Sequence, residues 1–226
     1  MKLVFSGLER AIVLKPGEVS TLQVENAALF AHVVLSLRSG LGRMAIEPYS
    51  VWDGETEIKV GDALMLVTDP INLPWDEKSL ASGLMKRIER EYLEDEELRM
   101  RVDSATQEIK ADLMTLGFGF NSDIGFNLEW DLKKYLKLLG FGVAFQEEKS
   151  FLDNLLNFLS LALDAGNKKT LVFVNLKTFL TENELKTFME QVFFLKINVL
   201  LLENKHDSMS YGHEHKYTID LQFLEH

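Results

Sequence analysis

The fold class is decided by residues 170–202, which read TLVFVNLKTFLTENELKTFMEQVFFLKINVLLL. Two largely apolar runs, Thr170 to Val174 and Ile197 to Leu202, lie on either side of a helical pattern. Strands that are apolar at every position are typical of a parallel sheet with helices on both faces. Thr181 and Glu184 have the Ser/Thr-x-x-Glu spacing of a capping box, which predicts where the helix begins.

The same alternation of strand and helix extends upstream from this stretch. The pattern predicts strand 126–130, helix 131–139, strand 141–145 and helix 150–163. A chain that alternates strands and helices in this way is expected to form a parallel α/β sheet.

The first 70 residues add shorter strands and one helix. Strands are predicted at 2–5, 11–14, 19–24, 44–52, 56–60 and 63–68. The helix is expected between Asn26, a favourable N-cap, and Gly40, which suits the left-handed residue after a helix end. Asp53-Gly54 predicts a tight hairpin turn.

A long charged stretch from Asp76 to Met114 interrupts this α/β pattern and predicts one or two helices. Its narrow apolar stripe is typical of a helix pair or a subunit interface. We therefore predict an α/β head of residues 1–75 and 126–223 and an α-helical arm of residues 76–125. Residues 224–226 are interpreted as the start of a vector-derived tail.

Composition excludes several classes of protein. The chain has 226 residues, a hydrophobic fraction of 46% and a charged fraction of 26%, which is an ordinary globular balance. It has no cysteine, so thiol catalysis and cysteine-based metal sites are excluded. No signal peptide is visible, and no apolar run approaches the roughly 20 residues of a membrane span, so we expect a cytoplasmic protein.

The net charge of −11 should repel nucleic acid unless basic groups are gathered locally. The basic groups that could do so include Lys133, Lys134 and Lys137 in one predicted helix, and Arg87 and Arg90 in the arm. Clusters of this size are usually solvated surface, although they can also neutralise phosphates.

Motifs of the common enzymes are absent. Neither the phosphate-binding Gly-x-x-x-x-Gly-Lys-Ser/Thr nor Gly-x-Gly-x-x-Gly occurs, so ATP hydrolysis is not expected. The nucleophile motif Gly-x-Ser-x-Gly and the metalloprotease motif His-Glu-x-x-His are missing too. His213 and His215 would share a strand face and could hold a transition metal with Asp207 or His206, or they could lie in a polar surface loop.

A ladder of oxygen-bearing side chains precedes the lysine-rich helix. On a strand, Asn127, Glu129 and Asp131 point to one side, and Asp123 lies just before them. Adjacent carboxylates repel one another unless a cation lies between them, and oxygen donors favour calcium over zinc. Alternatively, Asp131 is only the N-cap of the next helix.

The order of these segments resembles the small Csn-type protein of type II-A CRISPR systems. The resemblance spans nearly the whole chain and is carried by residues 65–69, 127–131, 170–175, 179–181 and 198–203. Each segment alone is a common apolar strand with a polar end, so the specificity comes from their order and spacing.

The resemblance implies a P-loop-like α/β head without a functional nucleotide site, an α-helical arm and a ring-shaped homotetramer. The ring would enclose double-stranded DNA, load at free ends and support the acquisition of new spacers beside the integrase and the RNA-guided nuclease. It also implies bound calcium, with Glu129 and Asp131 matching the family's acidic motif and Asp123 and Asn127 assigned by proximity.

A DNA-binding protein of this kind would not be an enzyme. The alternative is a metal-dependent nuclease that uses the carboxylates of Asp123, Glu129 and Asp131. A third possibility is an interaction module whose charged arm binds a protein partner and no DNA.

Overall fold

The computed structural model describes residues 1–122, 131–142, 148–222 and 224–225. In chain order its elements are β1 (Lys2–Phe5), β2 (Ile12–Val13), β3 (Val19–Val24), α1 (Ala27–Ser39), β4 (Tyr49–Asp53), β5 (Thr56–Ile58), α2 (Val60–Ala63), β6 (Leu64–Val67), α3 (Lys78–Glu94), α4 (Glu96–Gly117), α5 (Leu132–Leu138), α6 (Phe151–Asp164), β7 (Thr170–Val174), α7 (Glu182–Leu195), β8 (Val199–Glu203) and β9 (Glu214–Ile219). The predicted strand at 126–130 lies outside the described residues, as do residues 143–145 of the strand predicted at 141–145, while residues 141–142 are described and do not form a strand.

The chain divides into two compact units. The first unit contains Met1–Trp75, Phe145–Leu163 and Asn167–His226, and the second contains Asp76–Ala144 and Asp164–Gly166. Residues 131–142, which the sequence analysis assigned to the head, therefore belong to the second unit together with α3 and α4.

A five-stranded parallel sheet forms the centre of the first unit, in the order β6-β7-β8-β3-β9. The strands predicted at 19–24 and 170–174 have the predicted bounds. The edge strand β9 was not predicted, because its polar residues resemble a loop when read alone. It forms by parallel pairing with β3, where Val19 lies opposite Glu214.

Alternate residues of the central strands face two separate apolar layers. Val172 and Leu200 join a core with α1 and the small sheet, while Phe173 faces α7, where its ring meets that of Phe188 at 6.1 Å in an edge-to-face arrangement. All residues of β7 and β8 are buried, as the apolar runs in the sequence predicted.

A second, antiparallel sheet of the first unit has the order β2-β1-β4-β5. The predicted hairpin is confirmed, and Gly54 in its turn has a φ of 58°. The strand predicted at 44–52 is wrong at its start. Residues Gly42–Met44 form a 3-10 helix and β4 begins at Tyr49, because Pro48 has no amide hydrogen to donate to the sheet.

Local capping signals are confirmed at two helices. The Asn26 side chain accepts hydrogen bonds from the amides of Ala28 and Leu29 at 3.0 Å, and Gly40 ends the helix with a φ of 65°. Thr181 and Glu184 form the predicted capping box at the start of α7.

In the second unit, the predicted long stretch forms two helices that are separated at Asp95. The Asp95 carboxylate accepts a hydrogen bond from the amide of Leu98 at 2.8 Å and so caps α4. The Tyr92 hydroxyl lies 3.3 Å from the carboxylate of Asp103, which joins the two helices near the break. Gly83 of α3 lies against the backbone of Ala165, where a larger residue would clash.

Within the described parts of the chain, the helices are either too short or too polar to cross a membrane.

We predict that Phe188→Ala lowers the free energy of unfolding by about 3 to 5 kcal/mol, because it leaves a cavity against Phe173 in the buried layer. Phe194→Ala on the same helix is the matched control, since that side chain is 73% exposed. Urea unfolding followed by circular dichroism measures both, and equal losses would contradict the assignment of the core.

Candidate functional site

Asp131 caps the lysine-rich helix α5. Its carboxylate accepts a hydrogen bond from the amide of Lys134 at 3.1 Å, and this bond is the main reason that the pKa of Asp131 is lowered. The other predicted calcium ligands, Asp123, Asn127 and Glu129, lie outside the described residues. The structure thus places one of the four predicted ligands, and its carboxylate is partly used by the helix.

The predicted DNA-binding cations fall into two groups. Lys133 forms an ion pair with Glu89 at 2.8 Å, and Arg87 contacts both Glu91 at 2.9 Å and Asp164 at 2.5 Å. These charges are balanced within the second unit.

The remaining three cations are more accessible. Lys134 has a side chain that is 80% exposed and lies 3.6 Å from Asp131. Arg90 and Lys137 are exposed, and neither forms an ion pair with another described residue. Three of the five predicted cations therefore remain available to an anionic ligand.

The connection between strand β3 and helix α1 is short. Only Glu25 and Asn26 join β3 to α1, and the Asn26 side chain already accepts the first free amides of the helix. Those amides are the donors that would otherwise hold a phosphate. This geometry agrees with the absence of a phosphate-binding motif from the sequence.

A buried ionic cluster lies on the same sheet, and the sequence analysis missed it. The Lys177 ammonium group donates to Asp207 at 2.9 Å and to Glu214 at 2.7 Å, and its side chain is only 10% exposed. Lys216 joins the cluster at 3.3 Å from Asp207. No sequence motif predicts the cluster, because Lys177 is 30 residues from Asp207 and 37 residues from Glu214 in the chain.

The ionisable groups of this cluster have shifted pKa values, and the causes differ from group to group. Burial alone would lower the pKa of Lys177, but its bonds to Glu214 and Asp207 raise it overall. Burial raises the pKa of Glu203 to about 7. This carboxyl group accepts a hydrogen bond from the backbone amide of Lys177 at 3.1 Å, and it forms no hydrogen bond with the ammonium group. An open pocket of about 400 Å³ lies over Glu203, Asp207 and Tyr211.

The suggested histidine metal site is wrong. His213 stacks on the ring of Phe193 at 3.9 Å, His215 contacts Glu18 at 3.0 Å, and His206 lies 4.0 Å from Glu25. Across the described residues, no group of three histidine or acidic side chains is arranged to hold a metal ion.

Comparison with known proteins identifies the chain's relatives. A family model described as CRISPR-associated protein (Cas_Csn2) matches residues 50–223. A protein of Enterococcus faecalis named CRISPR-associated protein Csn2 is 23% identical over 217 residues, which cover 91% of this chain and 90% of that protein.

A solved structure shares the fold. The crystal structure of Stu0660 of Streptococcus thermophilus superimposes with a TM-score of 0.59 at 16% sequence identity, covering 97% of this chain and 75% of the other. Its similarity supports the mixed α/β architecture with a five-stranded parallel sheet.

The fold and the family match together define a CRISPR-associated protein, that is, a component of antiviral defence. Within that class, the chain belongs to the Cas_Csn2 family, as the resemblance in the sequence predicted.

We predict that Lys177→Met lowers the free energy of unfolding by about 3 to 5 kcal/mol, because the buried Glu214 would lose its nearest cation and keep only Lys216 at 3.6 Å. Lys205→Met is the control at an exposed lysine of the same pocket. Chemical denaturation of both variants measures the difference. A loss at Lys177 no greater than that at Lys205 would show that the buried pair is not a structural necessity.

Proposed function

We propose that this protein binds double-stranded DNA at free ends as a calcium-dependent homotetrameric ring, without sequence preference and without catalysis. In this role it would support the acquisition of new spacers in a type II-A CRISPR system, in the cytoplasm, beside the integrase and the RNA-guided nuclease. The observation that carries the proposal is membership of the Cas_Csn2 family over residues 50–223.

Self-assembly is supported by the surface of the second unit. Helix α4 has 22 residues and none of them is buried. Large apolar side chains on or next to this helix and α5 are more than half exposed: Met100, Met114, Leu116, Phe118, Phe120, Leu138 and Leu139. Apolar surface of this kind marks interaction sites, and we assign it to further copies of the same chain.

DNA binding is supported by three exposed cations of the second unit, Arg90, Lys134 and Lys137. The chain has a net charge of −11, so a DNA channel requires that acidic and basic surfaces be segregated in the assembled ring. Contacts to phosphates alone position a protein on DNA without reading its sequence.

Calcium binding is proposed for Asp131 with Asp123, Asn127 and Glu129. Asp131 fits this role in part, since it offers a partly exposed carboxylate of the hard-oxygen type that calcium prefers. One of its oxygens caps α5, and the ammonium group of Lys134 lies 3.6 Å from the other. A bound cation would therefore compete with Lys134 and free that lysine for a phosphate.

The P-loop-like character of the head is part of the same proposal. It rests on the parallel sheet and on the closed connection between β3 and α1, where Asn26 takes the place of a phosphate. A head of this kind would retain the architecture of a nucleotide-binding domain and lack its ligand.

A ring that loads at ends is expected to bind linear duplex and to exclude closed-circular duplex of equal length. A mobility-shift assay in calcium and in chelator measures this, and we expect the linear complex to be lost in chelator. Equal binding of both topologies would contradict loading at ends, and cleavage products in magnesium would favour the nuclease alternative.

Lys134→Ala combined with Lys137→Ala tests the surface itself. If each lysine contacts one phosphate, the slope of log affinity against log salt falls by about 2. Lys168→Ala, an exposed lysine of the first unit, is the control that should leave the slope unchanged.

Assembly and the calcium site are tested together by light scattering with Asp131→Asn. We expect a mass near four chains in calcium that falls in chelator, and a weaker response to calcium in the variant. Asparagine caps helices as well as aspartate does, so stability should be retained while the carboxylate is lost. A wild-type chain that remains monomeric in calcium would overturn the ring.

A further inference from the structure

The connection between β8 and β9 is an irregular segment that is held in place mainly by charged groups. Residues 204–213, which we call the 204–213 segment, contain no helix or strand. The Lys177 ammonium group donates a hydrogen bond to the Asp207 carboxylate of this segment at 2.9 Å. The Lys216 ammonium group donates to the backbone carbonyl of Asp207 at 2.8 Å and to that of Met209. The Tyr211 ring lies 5.3 Å from the Lys177 ammonium group.

The charges in this cluster do not balance when all are ionised. Two ammonium groups, on Lys177 and Lys216, face three carboxyl groups, on Glu203, Asp207 and Glu214. Glu203 is 4% exposed, and the side chain of Glu214 is 1% exposed. A buried excess of negative charge is unfavourable, and binding of one proton removes it.

Geometry indicates which carboxyl group takes that proton. The Lys177 ammonium group contacts Asp207 and Glu214, whereas Glu203 receives only backbone amide donors. Although burial acts in the opposite direction, the hydrogen bond from Lys177 lowers the pKa of Asp207. For Glu203 burial dominates, and the negative charge of Glu214 adds to the upward shift of its pKa.

Other charged groups face Glu203 from the elements around it. They line the pocket over Glu203 or contact its charged neighbours, and they lie on the turn after β7, on α7, on the 204–213 segment and on β9: Lys177, Glu182, Lys205, His206, Asp207, Glu214 and Lys216.

We propose that this cluster is a one-proton latch: a proton on Glu203 balances the buried charges and holds the 204–213 segment against the sheet, and loss of that proton loosens the segment. The latch regulates access to the pocket over Glu203, which is lined in part by Asp207, Met209 and Tyr211 of the segment. All its residues lie in the first unit, whereas the cations proposed to bind DNA lie in the second, so the latch does not rest on the proposed function.

The direction of the pH effect follows from proton linkage. Burial raises the pKa of Glu203 from 4.5 to about 7. In the proposed open state the carboxyl group returns to water and to its ordinary pKa, so the closed segment binds the proton more tightly than the open one. The latch is therefore strongest below pH 4.5. Opening should increase about tenfold per pH unit between pH 5 and 7 and level off above roughly pH 7.5.

Hydrogen exchange of the full chain, measured by mass spectrometry from pH 5 to 8.5, tests the latch. After correction for intrinsic exchange rates, we expect amides of the 204–213 segment to lose protection with this slope and to level off near neutrality. Protection that does not change with pH in the wild-type segment would overturn the proposal.

Three variants separate the latch from other titrations. Glu203→Gln should abolish the slope, whereas Glu182→Gln and His206→Gln, which change exposed groups of the same pocket, should retain it. A slope that persists in Glu203→Gln, or disappears in either control, would assign the effect to another group.

Glu214→Gln provides an independent test, because it leaves Glu203 unchanged and removes a neighbouring negative charge that raises its pKa. Removing one of the buried negative charges should move the levelling point to lower pH, because Glu203 then loses its proton more readily. A levelling point that does not move would show that the cluster does not share a proton.

Discussion

Parallel pairing of β3 with β8 and β9 is the constraint on which the first unit depends. Residues 19–24 lie between residues 199–203 and 214–219, so the centre of the sheet joins segments from opposite ends of the chain. Such contacts cost considerable loop entropy, which must be offset by the burial of apolar side chains on both faces. The same pairing brings Thr21 to Glu214, and with it the cluster around Lys177 to the sheet.

The second unit is held together by helix caps and ion pairs more than by a buried apolar core. Its helices contain capping residues and internal ion pairs such as Lys133 with Glu89, but α4 buries none of its side chains. An amphipathic helix is normally stabilised by packing of its apolar face rather than by its intrinsic propensity. Because apolar side chains remain exposed here, we propose that this unit packs against other copies of the chain. The net negative charge of the chain also means that any DNA-binding surface must be a local cluster of basic residues.

Two polar groups near the ends of the central strands are engaged within the first unit. The Asn26 side chain accepts hydrogen bonds from the amides at the start of α1, which are donors of the kind that bind anions at other helix starts. Glu203 ends β8 as an acidic residue, yet it is buried, faces the Lys177 amide and has a pKa near 7. A carboxyl group in this environment is suited to holding a proton rather than a metal ion.

The sequence by itself determined the features that depend on neighbouring residues. The apolar run at 170–174 matched its strand, and the run at 197–202 lay within two residues of the strand at 199–203. The caps at Asn26 and Thr181 and the hairpin at Gly54 are local, because the side chains involved lie within a few residues of the backbone groups they contact. The family was also evident from the order of these segments.

Only the tertiary structure decided the rest. Strand β9 exists because β3 provides its hydrogen-bonding partner, and Pro48 shortens β4 because the sheet requires amide donors. In the sequence Arg87 and Lys133 resemble free cations, but in the structure they form ion pairs with Asp164 and Glu89. Lys177 acquired its role in the same way, since an ion pair depends on distance in space and leaves no periodic signal in the sequence.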